Sequence, residues 1–328
     1  MNDRAAWLAE RRRGIGGSDI AAILGLSPWR TPLDVYLDKR GELEPQPSGN
    51  EQAMYWGTVL EDVVAREFAS RTGERIQRVN AMLRHPEYPW MLGNVDRAIV
   101  NPEIAGQVRW RDGRLTTDKL LECKTANGFA AAAWGEPGTD QIPEYYVPQP
   151  HWYMAITGAV VCYVAVLIGG SDYRIYTVPR DDELIETMIA AGWAFWQRVL
   201  DGVAPDPQSV EDARRLWPRS RATKRVIVDT TVAAACDRIN ELQRQAEQIE
   251  AEQAALKLDV MRAMQDAEEA DYMGRRLATW KNNKDSTAVD WKSAAGELKA
   301  IPEAAQVIDR FTAVKPGARV LRIAKSEE

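Results

Sequence analysis

The chain has 328 residues, of which 45% are hydrophobic, and its formal net charge is −6. This composition excludes wholesale disorder, and the length predicts one large domain with an appendage. No apolar run approaches the ~20 residues of a membrane span, and the first residues lack the apolar stretch of a signal peptide. We therefore expect a cytoplasmic protein without a membrane partner.

Cysteine and histidine are scarce, which restricts the chemistry. Three cysteines are too few and too scattered for a disulfide framework or a four-cysteine cluster, and two histidines argue against zinc chemistry. The net negative charge counts mildly against a nucleic-acid partner. A metal site needs carboxylates, however, and a binding surface can be locally basic inside an acidic protein.

Residues 1–205 alternate helical and strand-like patterns, which predicts a mixed α/β domain. The helical patterns cover residues 17–25, 31–40, 51–72, 145–156 and 184–200. The strand-like patterns cover residues 91–100, 118–124, 160–168 and 173–178.

The C-terminal third has no catalytic spacing. Residues 206–230 are polar and basic and are punctuated by proline, which predicts a linker. Residues 231–328 predict a helical, coiled-coil-like arm with a small β element, used for assembly or partner contact. Between positions 239 and 263 the apolar residues follow heptad steps, typical of a helix that packs against a partner helix. The strand-like pieces are 275–281 and 318–323.

The segment 120–125, LLECKT, is strand-like, so its side chains alternate between two faces. Glu122 and Lys124 then share a face, about 6–7 Å apart, where a carboxylate binds a metal and a lysine orients or activates a water. Asp96 lies in a strand-like segment upstream. An Asp followed after a long connection by Glu-x-Lys is the pattern of the PD-(D/E)xK nuclease fold, although Glu and Lys also form ordinary exposed strand faces.

Two carboxylates from adjacent strands, Asp96 and Glu122, suit Mg²⁺, which prefers oxygen ligands and keeps several waters. The backbone carbonyl of Cys123 is available to complete the ligand set. Phosphodiester hydrolysis needs a metal-bound water and charge stabilisation, which such a site with a nearby lysine supplies. Such spacings also arise by chance, so this motif alone is a weak indication of a magnesium-dependent nuclease, and the other motifs of the chain strengthen it.

Two further polar residues have a functional and a purely structural interpretation. Glu61, in WGTVLE near the start of an amphipathic helix, offers a third acid for a second metal, or is an ordinary surface glutamate. Gln149 opens a helix after the Glu-x-Lys strand. In the functional interpretation, Gln149 hydrogen-bonds the scissile phosphate or the lysine. In the structural interpretation, it is only a polar residue at a helix start.

The stretch 7–25, WLAERRRGIGGSDIAAILG, combines a basic patch, a glycine-rich turn and an apolar helix capped by Ser18 or Asp19. Backbone N–H groups at a helix start, with a serine hydroxyl and nearby arginines, form an anion site that fits a terminal phosphate. A capped helix with a basic flank is the alternative interpretation.

These motifs occur in one order: GIGGSD followed by AAILG, the WGxxxE helix, the Asp96 strand, ECK and the late glutamine. The combination resembles the YqaJ-like viral recombinase family, which includes the phage lambda exonuclease, over residues 1 to about 205. The resemblance implies an exonuclease domain with a PD-(D/E)xK, restriction-endonuclease-like core, in which helices flank a mixed central sheet.

The resemblance also implies roles for individual residues. Asp96 and Glu122 match metal ligands, and Glu61 matches the acid of a second metal, so two Mg²⁺ ions are expected, with Mn²⁺ as a substitute. Lys124 matches the catalytic lysine, and Gln149 matches the supporting glutamine.

Arg11 and Ser18 match family positions that hold the 5′-phosphate of the digested strand. Two departures affect this phosphate site. Asn94 stands where the lambda enzyme has a phosphate-contacting serine, and it retains a hydrogen-bond donor. No arginine follows shortly after the catalytic lysine, so the phosphate clamp is expected either to be weaker or to be completed by Arg12 or Arg13.

The family implies a Mg²⁺-dependent 5′→3′ exonuclease that digests linear double-stranded DNA and leaves 3′ single-stranded overhangs. These overhangs serve phage-type homologous recombination by single-strand annealing in the bacterial host cytoplasm, with a phage or prophage gene as the source. A trimeric ring and a single-strand annealing protein are the implied partners. Two alternatives stay open: another PD-(D/E)xK nuclease, specific for single strands or structures, and a non-catalytic protein that binds DNA ends.

Aromatic residues are further candidates, because bases stack on exposed rings in nucleic-acid channels. Each is also a candidate for the core or for an interface. Trp134, next to a glycine in a predicted loop, is the best placed for stacking. The others are Trp29, Tyr36, Trp56 and Trp152.

Overall fold

The computed structural model describes residues 2–43, 51–314 and 317–324. The chain forms two compact units, Met1–Leu216 and Trp217–Glu328. The first unit alternates helices and strands, which confirms the predicted mixed α/β class. Within the described residues, no helix combines the length and apolar character that crossing a bilayer requires.

The first unit contains seven α-helices within its described part. They are α1 (Asn2–Arg11), α2 (Gly17–Ile23), α3 (Pro32–Arg40), α4 (Glu51–Thr72), α5 (Pro148–Thr157), α6 (Asp182–Asp201) and α7 (Val210–Leu216). Its strands are β1 (Ile15–Gly16), β2 (Ile76–Arg78), β3 (Leu83–Arg84), β4 (Met91–Gly93), β5 (Arg97–Ile99), β6 (Trp110–Arg111), β7 (Arg114–Leu115), β8 (Lys119–Ala126), β9 (Val161–Ile168) and β10 (Asp172–Pro179).

The central sheet has five strands in the order β10-β9-β8-β5-β2. The sheet is mixed, because β8 and β9 are parallel while the other neighbouring strands are antiparallel. Helix α5 lies in the connection between the two parallel strands, as a parallel pair requires a crossover. A smaller sheet has the order β1-β4-β3.

The single strand predicted for residues 91–100 is wrong in one respect, because the segment is split into β4 and β5. Strand β4 pairs with β1 and β3 in the small sheet, whereas β5 pairs with β2 and β8 in the central sheet. Residues 94–96 connect the small sheet to the central sheet. Asp96 therefore lies where the chain enters the central sheet.

Strand β8 separates the apolar interior into two layers. Leu120 packs on one face with the buried ring of Trp152 from α5, and Leu121 packs on the other with Phe68 from α4. All four side chains are fully buried. The predicted alternation of β8 is confirmed, and a helix packs on each face of this strand.

Helix α5 is the central helix of the first unit. Pro148 occupies its first turn, where the missing N–H costs no hydrogen bond, and Gly158 ends it in the left-handed conformation with φ 77°. The indole N–H of Trp152 donates to the carbonyl of Leu92 at 3.1 Å. These contacts fix the start of the helix, where Gln149 lies, against β4.

The first unit extends past the predicted boundary at 205. Asp212 of α7 is 2% exposed and accepts a hydrogen bond from the hydroxyl of Thr31 at 3.0 Å. Arg215 pairs with Asp34 of α3. The polar, proline-punctuated composition predicts a linker from 206, but these buried polar contacts hold α7 on the first unit. The division into functional domains stays a prediction.

The second unit contains one long helix, α8 (Thr230–Met264), and a hairpin of β11 (Glu269–Tyr272) and β12 (Arg275–Thr279). Helices α9 (Trp291–Leu298) and α10 (Pro302–Phe311) follow. The predicted helical arm and small β element are confirmed. The strand predicted for 318–323 is wrong, because no strand of the described residues pairs with this exposed segment.

Candidate active site

The two predicted metal-binding carboxylates lie on neighbouring chain segments of the central sheet. The antiparallel register pairs Arg97 of β5 with Leu121 of β8, so the next step places Asp96 opposite Glu122. Directly opposite residues of an antiparallel pair project from the same face of the sheet. The backbone N–H of Cys123 donates to Asp96 Oδ2 at 2.9 Å, which holds this carboxylate against β8.

Glu122 is only 2% exposed, and its two carboxylate oxygens have different environments. Oε1 accepts hydrogen bonds from Lys124 Nζ at 2.7 Å and from Gln149 Nε2 at 2.6 Å. Oε2 is buried and has no hydrogen-bond partner among the described residues. A buried carboxylate oxygen without a partner is costly, so this atom is a natural ligand for a cation.

Burial disfavours the charged forms of both carboxylates. Burial, followed by repulsion from Glu122, raises the pKa of Asp96 well above its usual value. Burial also raises the pKa of Glu122, although Lys124 opposes the shift. Burial acts to lower the pKa of Lys124, but attraction by Glu122 and Asp96 outweighs it and the pKa is raised. A divalent cation would relieve the repulsion between the two acids.

Lys124 is held on several sides. Its ammonium donates to Glu122 and to Gln149 Oε1, the latter at 2.8 Å, and lies 5.0 Å from the centre of the Tyr146 ring. The amide of Gln149 also donates to the hydroxyl of Tyr153 at 3.1 Å, one turn further along α5. The helix start thus fixes the lysine through the glutamine.

Glu61 lies in the middle of α4, not near its start, which corrects the prediction. Its Oε1 accepts a hydrogen bond from Arg97 Nη1 at 2.6 Å. Arg97 is 3% exposed and also donates to Asp62 at 3.0 Å. The charge of Glu61 contributes to the raised pKa values of Asp96 and Glu122, so the three acids share one region.

The protein does not offer a closed metal cage. Among residues 2–43, 51–314 and 317–324, no three His, Cys, Asp or Glu side chains come close enough to form a complete ligand set. Mg²⁺ commonly binds through one or two carboxylates and keeps its remaining ligands as water. Asp96 and the free oxygen of Glu122 fit such a site. The roles predicted for the Cys123 carbonyl and for Glu61 stay predictions.

The predicted phosphate residues meet Asp96 in one cavity of about 190 Å³. Arg11, Ser18 and Asn94 contribute to its lining together with Asp96. Arg11 Nη2 donates to the hydroxyl of Ser18 at 2.7 Å, so the serine does not cap α2 as one interpretation predicted. The cavity combines hydrogen-bond donors for an anion with a carboxylate of the candidate metal site.

Arg12 and Arg13 are not brought to this cavity. Arg12 pairs with Asp38 at 3.7 Å, and Arg13, whose side chain is 73% exposed, pairs with Glu10 at 3.3 Å. The helix α1 ends at Arg11, and the side chains that follow point in other directions. The structure thus gives no support to either arginine as a completion of the phosphate clamp.

Asp19 has a role beside the candidate site that the sequence pattern does not predict, namely to hold the basic side chains. It is fully buried and pairs with Lys39 at 2.6 Å, with Arg30 at 3.0 Å and with Arg11 at 3.3 Å. It also accepts the N–H of Gly16 at 3.0 Å. Burial alone would raise the pKa of Asp19, but the three cations outweigh it and the pKa is lowered. Asp19 therefore orients Arg11 toward Ser18.

Comparison with known proteins gives a consistent set of relatives. A family model described as a YqaJ-like viral recombinase domain matches residues 6–160. The protein YqaJ of Bacillus subtilis (strain 168) is 36% identical over 286 residues, which span 85% of this chain and 83% of that relative.

Two solved structures resemble the chain more distantly. An alkaline exonuclease (LHK-Exo) from Laribacter hongkongensis is 20% identical and has a TM-score of 0.46, covering 61% of this chain and 94% of its own. A phage related exonuclease from Haemophilus somnus 129PT is 11% identical and has a TM-score of 0.38, covering 58% of this chain and 96% of its own.

Replacing Asp19 by alanine is expected to lower the free energy of unfolding by about 3–5 kcal/mol, because the buried Lys39 then loses its carboxylate partner and keeps only the backbone carbonyl of Arg11. Urea unfolding measures the change. Glu42→Ala is the control, since Glu42 forms only a surface pair with Arg40, and a loss below about 1 kcal/mol is expected there. An equally small loss for Asp19→Ala would contradict the assigned role.

Mg²⁺ is expected to stabilise the wild-type chain against unfolding, by about 2.7 kcal/mol at 100 times its dissociation constant. The combined Asp96→Asn and Glu122→Gln variant should lose this gain, because neither substituted side chain is a carboxylate. Thermal unfolding with Mg²⁺ and with EDTA measures it, and Glu186→Gln on α6, an exposed acid, is the control. A gain retained in the double variant would locate the ion elsewhere.

Proposed function

Because the chain belongs to the YqaJ-like viral recombinase family, we propose that it is a Mg²⁺-dependent 5′→3′ exonuclease that digests linear duplex DNA and leaves 3′ single strands. One observation carries the proposal. Glu122 has a buried, unpartnered oxygen beside Asp96, and a lysine is fixed within 2.7 Å of its other oxygen. A protein that only binds DNA ends has no use for this arrangement.

Each residue of the site has a definite task in this reaction. Asp96 and Glu122 would hold the cation, which when bound supplies charge stabilisation to phosphodiester cleavage. Lys124 has three N–H donors and uses two on Glu122 and Gln149. The third donor would serve the attacking water or a phosphate oxygen. Gln149 keeps the ammonium in place through its bonds to both partners.

End recognition uses the cavity beside the carboxylates. A 5′-phosphate held by Arg11 and Ser18 would leave the next part of the strand near Asp96, because all three residues line the same cavity. Arginine suits this task, since its planar guanidinium binds phosphate through parallel hydrogen bonds. Asn94, which also lines the cavity, is available as a further donor.

The resemblance supports further proposals about assembly. A second Mg²⁺ ion would bind near Glu61, with Mn²⁺ as a substitute, and the chain would form a trimeric ring. A single-strand annealing protein would receive the 3′ strand in the host cytoplasm for phage-type recombination. The second unit, with its long helix, is the segment proposed for assembly or partner contact.

Linear duplex DNA labelled at either end tests the activity in the presence of Mg²⁺ or EDTA. We expect early release of nucleotides from the 5′ ends with Mg²⁺ only. Lys124→Ala should lower the rate at least about 100-fold, as loss of a charge-stabilising donor does, while DNA binding is retained. Lys281→Ala, a surface lysine of the second unit paired with Glu269, is the control.

Other outcomes would replace the proposal with a specific alternative. Cleavage of a circular single strand would indicate a single-strand-specific or structure-specific nuclease. A shift of DNA ends without cleavage under any metal would indicate a non-catalytic end-binding protein. Wild-type turnover in Lys124→Ala would remove this lysine from the mechanism.

Arg11→Ala is expected to narrow the rate difference between 5′-phosphorylated and dephosphorylated ends by about tenfold or more, the value of a hydrogen bond to a charged group. Arg13→Ala is the matched control, because Arg13 follows closely in the chain but points away from the cavity. Initial rates on the two substrates measure the effect. A rate ratio that Arg11→Ala leaves unchanged would place end recognition at another site.

A further inference from the structure

Three aromatic side chains form a continuous cluster next to the candidate active site. The ring centres of Trp29 and Tyr145 are 4.9 Å apart, and those of Tyr145 and Tyr146 are 4.6 Å apart, both with edge-to-face geometry. Trp29 also lies 6.0 Å from Tyr146. We call these three residues the aromatic platform.

The inner end of the platform touches the catalytic motif. The ring centre of Tyr146 is 5.0 Å from the ammonium of Lys124. Behind it, Trp134 packs against Tyr146 at 5.5 Å and against Tyr176 at 5.3 Å. Trp134 is only 4% exposed, so the prediction that it is the best placed residue for base stacking is wrong. Its buried ring instead gives the platform a fixed base.

The outer end of the platform is open to solvent. Trp29 is 56% exposed, so much of its side chain is accessible although it packs against the two tyrosines. Its neighbour Arg30 pairs with Asp19, the same carboxylate that holds Arg11. The dipeptide 29–30 therefore connects the platform to the ion-pair network that holds Arg11, a residue of the cavity lining.

The catalytic groups are recessed, which matters for the substrate. The side chains of Lys124 and Glu122 are 16% and 3% exposed. A strand that separates from its complement before its phosphate reaches Lys124 would carry an unpaired base beside Tyr146, whose ring centre lies 5.0 Å from the ammonium.

We propose that the aromatic platform stacks an unpaired nucleobase of the DNA strand that enters the active site. This inference rests on the proposed nuclease function and names the part of the substrate that the platform binds. Stacking on an aromatic ring accepts every base, because each has a π-face. That tolerance is what an enzyme degrading any sequence needs.

The test measures binding of the full chain with Ca²⁺ in place of Mg²⁺, which separates binding from cleavage. The probes are 5′-phosphorylated duplexes whose first four nucleotides are unpaired, with one abasic nucleotide at each of these positions in turn. For the wild type, one position should weaken binding by about 5- to 150-fold, the range for one lost stacked base.

The variants identify the stacking partner. Trp29→Ala should weaken binding of the intact strand by a similar factor. In this variant the abasic nucleotide at that position should cause no further loss of affinity, because the two changes remove the same contact. Trp29→Phe should keep most of the affinity and the penalty. Trp110→Ala is the matched control, because Trp110 is also partly exposed but lies in the β6–β7 hairpin.

Three results would overturn the proposal. An abasic penalty that is equal in the wild type and in Trp29→Ala would exclude stacking on this residue. A wild type that binds the probes but shows no position-dependent penalty would remove the platform and leave the nuclease function standing. A wild type that binds none of the probes would overturn the platform and the proposed function together.

Discussion

The pairing of β5 with β8 is the constraint on which the candidate site depends. It sets Asp96 opposite Glu122 at the point where the chain enters the central sheet. Two carboxylates in a poorly solvated place repel each other, and the surrounding side chains compensate only in part. Lys124 and Gln149 satisfy one oxygen of Glu122, while the other stays free. The fold thus brings two carboxylates together and leaves Glu122 Oε2 without a hydrogen-bond partner among the described residues, and a bound cation would stabilise this arrangement.

A second buried network contains more positive than negative charge. Asp19 forms ion pairs with three cations, and one of them, Arg11, lines the same cavity as Asp96. An acidic half and a basic half therefore meet across one small space. Asp96 and Glu122 would hold a cation on the acidic side, and Arg11 would hold a phosphate on the basic side, so the two groups together suit phosphodiester chemistry.

Local patterns predict most of the fold and the order of the site residues. Alternation in 118–124 gives β8 and its two faces, and the spacing in 51–72 gives α4 with its bounds. Contacts between distant segments are not encoded in such patterns. The role of Asp19 depends on Lys39, and the position of Glu61 depends on a buried arginine, Arg97. The sequence spacing also does not predict where side chains point after α1 ends. The three consecutive arginines 11–13 therefore look equivalent in the sequence, although only Arg11 lines the cavity.

The cluster around Asp19 has a consequence for how DNA is approached. The three cations Arg11, Arg30 and Lys39 face two carboxylates, Asp19 and Asp38, so the cluster carries one excess positive charge within a chain of net charge −6. In physiological salt, fields between exposed charges fade over about 8 Å. The excess therefore acts on a strand only at near contact, and long-range electrostatic attraction contributes little to the encounter. Capture of a DNA end would be governed by collision and fit.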